Sequence, residues 1–483
     1  MYKMTVQENE LIRRVENILK NKSETKNLEV KNAKGGAPRI YETLSAFSNS
    51  EGGVIVFGIN ENSGFILEGV YNSQDLQTRI SEQCKEMEPE VRAIITTARH
   101  NDCDIISAEI PEIDHAVKPC YHIAKGQKKG SYLRIGNTNA LMTGYEIYSY
   151  DAYRRKICDD IRKVERATGK KIDTLKRDRY LIQLKTDRPN LNTMPLEELL
   201  DINSLVDSGI PTLVYVMLFS IYPQAILPAL CINAVVVPGY EIGETTVEGA
   251  RFIDNKKIEG TLEEQISGAI AFVRKNMTMK TTFNKTTGQR KDIPEYPPEA
   301  IREAVLNAVV HRDYSFYTEN MPIQICMFKD RLEITNPGGL YGRMTIDNIG
   351  KMQPDVRNPN IIKALEIMGA TENRYSGIPT IQRKMEEHGL PEPLFINERG
   401  SFKVILYNSA EIKIDNAVSQ KIINFCKQER TLDEITSYLN INSKNHVRDR
   451  YLKELLAQGI IQQTIPERPG SKYQKYVLIN RKP

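Results

Sequence analysis

The chain has 483 residues, more than one hydrophobic core organises, and at roughly 100–200 residues per domain about three domains are expected. Hydrophobic residues make up 40% and charged residues 27%, a balance that excludes a disordered or fibrous chain. The formal net charge is only +4, so a nucleic-acid-binding surface has to be local rather than a property of the whole chain.

The seven cysteines are scattered and never spaced C-x-x-C, which points away from a disulfide framework or a zinc finger and toward a reducing, cytoplasmic setting. The opening segment, Met1 to Lys20, reads as an amphipathic helix of mixed charge without an apolar signal core. No later stretch has 18 uninterrupted apolar residues, so the expectation is a protein neither secreted nor membrane-spanning.

Residues 1–148 alternate short strands and helices, with VIVFGI (54–59) introduced by Gly52-Gly53 and SYLRIG (131–136) as strands. Glu24, Glu29 and Lys31 bring two carboxylates and an ammonium together at the start of a strand. Such a trio holds a hard divalent cation and orients a phosphate, or it closes a strand-edge salt bridge; both readings stand at this point. Lys31, Lys34, Arg39, Lys125, Lys128, Lys129 and Arg134 are candidate phosphate contacts, with a solvated face as the alternative for each.

Three blocks, SETKNLEVKNA, AFSNSEGGVIVFGINENSGFILEGV and KPCYHIAKGQKKGSYLRIGNTNALMT, come in that order and resemble the Schlafen AlbA-type domain over nearly all of residues 20–145. The resemblance implies a small α+β fold that binds nucleic acid and, in some relatives, cuts RNA with a metal-dependent carboxylate cluster. A nuclease of that kind would use Glu24, Glu29 and Lys31, with the metal on Glu24 and Glu29. Asn60 stands where the nuclease-competent relatives carry an acid, and Glu61, one residue on, faces the opposite side of the strand.

Residues 149–193 are strongly charged and predict an exposed helical linker. The next region, 194–410, opens with an apolar stretch (210–237) broken by prolines, which predicts buried strands or short helices. It continues with a helical pattern in GTLEEQISGAIAFVRKN, a long apolar helix EAIREAVLNAVVH entered through Pro294, Pro297 and Pro298, and a hairpin PIQICMFKDRLEITNPGG. Glu303, Asn307 and His311 recur at intervals of four and therefore share one face of that helix.

The blocks IREAVLNAVVHRDY, DRLEITNPGGL and RNP resemble the C-terminal region of RecG-like transcriptional regulators, which is related to the histidine-kinase/gyrase (GHKL) type of ATPase, over about 200–407. The resemblance implies an ATP-binding α/β sandwich. Glu303 would polarise the attacking water of a weak ATPase, Asn307 would hold Mg²⁺ through its amide oxygen, and His311 would lie on the same nucleotide-facing side. Gly338, Gly339 and Gly377 would admit the phosphates. Asn336 replaces the acid that reads the adenine amino group and offers an uncharged acceptor instead. The second glycine box is reduced to Tyr375-Ser376-Gly377-Ile378, and no Walker A motif occurs, which excludes a P-loop motor.

Residues 415–483 read helix, helix, Ser443-capped third helix, then a strand-rich tail, the order of a winged helix-turn-helix. Leu432, Ile435, Leu439, Val447, Tyr451, Leu452, Leu455, Leu456 and Ile460 are spaced as its core. Lys444, Asn445, Arg448 and Arg450 would face a major groove, and Lys472 would lie on the wing.

The expectation is thus an α+β multidomain protein: a Schlafen/AlbA-type domain, a GHKL-like α/β sandwich using ATP and Mg²⁺, and a C-terminal winged helix. The leading reading is a DNA-binding transcriptional regulator with an ATP-binding sensor region. The alternatives are a nucleotide-gated endoribonuclease or phage-defence effector acting on RNA, and an ATP-dependent scaffold. A homodimer is expected by analogy with operator-binding proteins.

Overall fold

The computed structural model describes residues 5–283, 290–370, 377–398, 400–409, 416–439, 441, 444, 447–457, 460–466, 471 and 473–479. The chain is a mixed α+β protein of several hydrophobic cores.

The first core is built on a four-stranded sheet in the order Leu28–Lys31, Gly53–Phe57, Cys103–Ile110, Ile94–His100, with only the first pair parallel. Alternation decides its two faces. Ile55, Phe57, Ile106 and Ala108 pack with Leu44, Phe47, Leu76 and Ile80 of two helices, while Val30, Val54, Val56 and Ile105 meet the opening helix on the other side. That helix, Val6–Asn21, buries Leu11, Val15 and Ile18 and is started by a Thr5–Glu8 capping box.

The central core surrounds a six-stranded sheet in the order Asp254–Ile258, Ile232–Val236, Ile323–Met327, Arg331–Pro337, Ser401–Tyr407, Leu394–Glu398; only Ile232–Val236 and Ile323–Met327 are parallel. The expected hairpin forms its centre. Helix Pro298–Val310 packs against helices Leu262–Asn276 and Gly377–Glu387, and Leu262–Asn276 and Pro298–Val310 pack on this sheet. Pro298–Val310 buries its apolar residues, Ile301, Val305 and Val309 among them, and leaves Glu303 and Asn307 partly open on another side.

The charged stretch 149–193 is not an exposed linker. Helix Thr174–Asp187 sends Tyr180, Leu181 and Leu184 into the central core, with Val164 and Ala167 ahead of it. Three apolar positions on one face suffice to bury a helix whose other positions are charged.

The last segment forms helix Asn416–Phe425, helix Leu432–Leu439, a wide turn Val447–Leu452 running into helix Lys453–Ala457, and a sheet in the order Arg430–Thr431, Lys475–Leu478, Ile461–Gln463. Ile435, Val447, Tyr451, Leu452 and Leu455 are buried in its core with Ile422, Cys426, Ile461 and Tyr476; Leu432, Leu439, Leu456 and Ile460 pack around them. Ser443 and Gly459, expected to bound the third helix, lie outside the described residues. Among the described residues no helix is long and apolar enough to cross a membrane.

Candidate functional site

Glu303, Asn307 and His311 point together into a cavity of about 170 Å³ between helix Pro298–Val310, the loop after strand Arg331–Pro337 and the start of helix Gly377–Glu387. Its wall includes Asn336, Gly338, Gly339, Tyr341, Asp355, Gly377, Ile378 and Phe402. Every cofactor-contact residue expected from the sequence therefore lines one space, although they come from three separate stretches of chain. Tyr375 and Ser376, the start of the reduced glycine box, lie outside the described residues.

Two polar atoms of this space are buried and make no hydrogen bond among the described residues: Oδ1 of Asn336 and Nδ2 of Asn307. A buried amide without a partner costs about 1–3 kcal/mol, a cost that a hydrogen-bonding group entering the cavity would offset. Gly377 keeps the floor open. A methyl group there would lie 2.9 Å from the Asn307 amide nitrogen and 3.3 Å from a Glu303 carboxylate oxygen. Gly338 has φ +95°, and any side chain on it would collide with Arg357 and Asp313. The His311 imidazole is held down to about 4, mainly by desolvation and further by the Arg357 charge, so it is neutral at pH 7.

The HRDY, NPGG and RNP blocks meet behind the cavity. Asp313 accepts from the Ser315 N–H (2.8 Å) and the Tyr145 hydroxyl (2.8 Å), and lies 3.7 Å from the Arg357 guanidinium. Burial pushes its carboxyl upward, but Arg357 and these donors outweigh it and keep it below the usual range. Arg357 donates to the Gly339 carbonyl (3.1 Å), and Asn358 donates to the carbonyls of Val310 and Arg312. Arg312 is itself buried, capping the carbonyls of Asp313 and Thr318. These blocks supply architecture through Arg312, Asp313, Arg357 and Asn358, and cavity wall through His311, Asn336, Gly338 and Gly339.

The amino-terminal candidates are arranged differently. Glu29 is buried and its carboxylate is fully engaged: Oε1 receives Lys31 (2.6 Å) and Thr43 (2.7 Å), Oε2 receives Arg134 (2.7 Å) and Asn139 (3.2 Å). Burial raises its carboxyl, and Lys31, Thr43 and Arg134 more than offset this, leaving it below the ordinary value. Glu24 instead accepts from the Val30 N–H (2.8 Å) and is shifted upward, mainly by burial. Asn60 donates to Glu68. Among the described residues no group of three or more His, Cys, Asp or Glu side chains is placed to hold a metal ion.

One expected phosphate contact is corrected outright. Arg134 is buried, and its guanidinium serves Glu29, Asn139 and the carbonyl of Lys26, so it faces no nucleic acid. Lys31 is tied to Glu29, whereas Lys34, Arg39, Lys128 and Lys129 are exposed. In the last segment Lys444 is exposed and 2.8 Å from Asp433, and Arg448 is half-buried. Asn445, Lys472 and the Arg450 side chain lie outside the described residues.

Sequence reasoning missed Tyr145, Tyr341 and Asp355. The only trace of the first was the tyrosine-rich run GYEIYSYDAY, whose Tyr145, Tyr148 and Tyr153 recur at helical spacing.

Three family descriptions match separate parts of this chain: "Schlafen, AlbA_2" at residues 24–143, "Putative ATP-dependent DNA helicase recG C-terminal" (HATPase_c_4) at 320–406, and "Filamentation induced by cAMP protein Fic-like, C-terminal domain" at 418–479. No curated protein matches the sequence. Among solved structures, the DIP2311 protein from Corynebacterium diphtheriae is 17% identical, covering 98% of this chain and 97% of that one with a TM-score of 0.39. The N-terminal domain of a RecG-related protein from Nitrosomonas europaea is 20% identical, covering 28% of this chain and 95% of that one with a TM-score of 0.23. Segment by segment, the chain is thus similar to a Schlafen AlbA_2 domain, a RecG C-terminal HATPase_c_4 region and a Fic-like C-terminal domain, a combination of nucleic-acid-binding and ATPase-like types.

Proposed function

We propose that the protein is a DNA-binding regulator whose central cavity takes an adenine nucleotide. The observation that carries this reading is the Asn336 amide oxygen, buried without a partner among the described residues on the wall of the cavity that Glu303 and Asn307 line. An acceptor in that position matches the exocyclic amine of adenine. Gly338 and Gly339 lie next along the chain and would admit the phosphates at the backbone. Asn307, whose amide nitrogen also has no partner among the described residues, would turn its oxygen to the Mg²⁺ that travels with a triphosphate; bound metal would neutralise phosphate charge, and Glu303 beside it would orient water.

The carboxy-terminal segment would act as a winged helix, with Lys444 and Arg448 meeting DNA from it. Its Lys444–Asp433 pair is a surface ion pair worth about 0–1 kcal/mol, weak enough to exchange for phosphate. Two such chains on one operator would form the dimer expected by analogy. The engagement of Glu29 by four donors argues against the endoribonuclease alternative.

The test combines titration of a fluorescent ATP analogue with gel shift on duplex DNA. Asn336→Leu is expected to weaken the analogue about three- to tenfold, the equivalent of one neutral hydrogen bond. Lys444→Glu with Arg448→Glu is expected to abolish the shift and flatten its salt dependence. No binding of the analogue by the native protein rejects the nucleotide reading; an unaltered shift in the charge-reversed variant rejects the DNA assignment.

A further inference from the structure

The wall behind the glycine loop is completed by a residue from outside the nucleotide-binding region. Helix Gly144–Arg155 leaves the amino-terminal domain and lays Tyr145 against the back of the loop. Two routes run from that ring. In the first, the Tyr145 hydroxyl donates to Asp313 (2.8 Å), Asp313 faces Arg357 (3.7 Å), and Arg357 donates to the carbonyl of Gly339 (3.1 Å). In the second, the ring packs at the Cβ position of Gly400 (3.7 Å), and the Gly400 carbonyl accepts the N–H of Gly338 (2.9 Å). They end on Gly339 and Gly338, two neighbouring glycines of the cavity wall.

The same helix touches the cavity wall again two turns on. Tyr153 packs edge-on against Tyr341 with ring centroids 5.5 Å apart, and its other edge meets His115 of the amino-terminal domain at 4.9 Å. His115 also contacts Tyr150 of the helix at 5.0 Å. Arg343, two residues beyond Tyr341, lies 3.8 Å from Asp114, the neighbour of His115. The helix is therefore clamped to the first domain at one side and to the glycine loop at the other.

We infer that Tyr145 is a positioning residue of the nucleotide site, and that through helix Gly144–Arg155 occupancy of the cavity and the set of the amino-terminal domain bias each other. The inference rests on the nucleotide reading above and adds its regulation. A loop that adjusts around phosphates moves the carbonyl of Gly339 and the N–H of Gly338, the two groups from which Tyr145 hangs; packed elements of this kind shift between discrete arrangements rather than deform continuously. Linkage makes the effect reciprocal, so whatever the amino-terminal domain binds alters nucleotide affinity by the same factor.

The test uses the full chain with a non-hydrolysable ATP analogue as probe, in native, Tyr145→Phe and Tyr148→Phe forms. Tyr148 shares the helix but gives its hydroxyl to Asp159 rather than to Asp313, so its variant controls for loss of a tyrosine hydroxyl from the helix. Affinity is read by titration and local order by amide hydrogen exchange, and thermal melting confirms that each variant is folded. In the native protein and in Tyr148→Phe the analogue is expected to slow exchange across residues 114–118 and 144–155 about tenfold. In Tyr145→Phe it is expected to bind about three- to tenfold more weakly and to leave exchange at 114–118 and 144–155 unchanged while still protecting the cavity helix. A structural role alone would lower stability without separating protection of the cavity helix from protection of the connecting one. Equal affinity in Tyr145→Phe, or native-like protection of 114–118 and 144–155 in it, overturns the inference while leaving the nucleotide site intact. Failure of the native protein to bind the analogue overturns both.

Discussion

Single side chains here carry opposite meanings in similar sequence contexts. Glu29 and Glu303 are both acids in stretches that resemble catalytic families, yet Glu29 is enclosed by Lys31, Thr43, Arg134 and Asn139, whereas Glu303 opens onto a cavity. Removing one member of a buried ion pair leaves the other charge uncompensated. Glu29→Gln is therefore expected to destabilise the amino-terminal domain by about 3–5 kcal/mol, measurable by urea unfolding. A loss below about 1 kcal/mol would show that Arg134 is not relying on it. The consequence reaches further than stability: loss of any nuclease activity in a Glu29 variant would report unfolding as readily as chemistry. The sequence revealed Glu24, Glu29 and Lys31 as neighbours, but Arg134 is 105 residues from Glu29 and only the fold could pair them.

At the scale of elements, the helix bearing Glu303, Asn307 and His311 was legible because a spacing of four and an apolar remainder leave little freedom in how such a helix packs. The loop opposite it was legible only as a pair of glycines. What makes those glycines necessary is tertiary: Gly338 has the Arg357 guanidinium 2.3 Å from where a methyl would stand, and Gly377 has the Asn307 amide at 2.9 Å. Gly377→Ala is accordingly expected to abolish binding of the ATP analogue, because the new methyl displaces Asn307 and occupies the floor of the cavity. Because Gly377 stands at the start of its helix and has no positive φ that alanine would strain, the variant is expected to fold, which thermal melting checks. Retained affinity would mean that the nucleotide does not approach this side of the cavity.

The molecule as a whole couples its regions through buried groups, and this has a signature in pH. His311 beside the cavity and His115 between the amino-terminal domain and the connecting helix are each depressed from 6.5 to about 4, in both cases first by desolvation. Between pH 6.5 and 4 the unfolded chain binds more protons than the folded one, so stability is complete above about 6.5 and drains away as the pH falls through 4. Chemical unfolding across that window should show the urea midpoint dropping, and His115→Gln should flatten the slope; an unchanged slope would place His115 in contact with solvent. By itself the sequence determined the order of the three regions, the helix face, the glycines and the absence of a P-loop, because periodicity and motif spacing are local properties that any fold must honour. Tertiary structure alone decided that the charged stretch after the first domain is core, that Arg134 is an internal counter-ion, and that Tyr145 backs the glycine loop 168 residues away from Asp313, its hydrogen-bond partner. Those outcomes depend on which surfaces meet, and burial converts a charge from a surface contact into a structural partner only once the meeting has taken place.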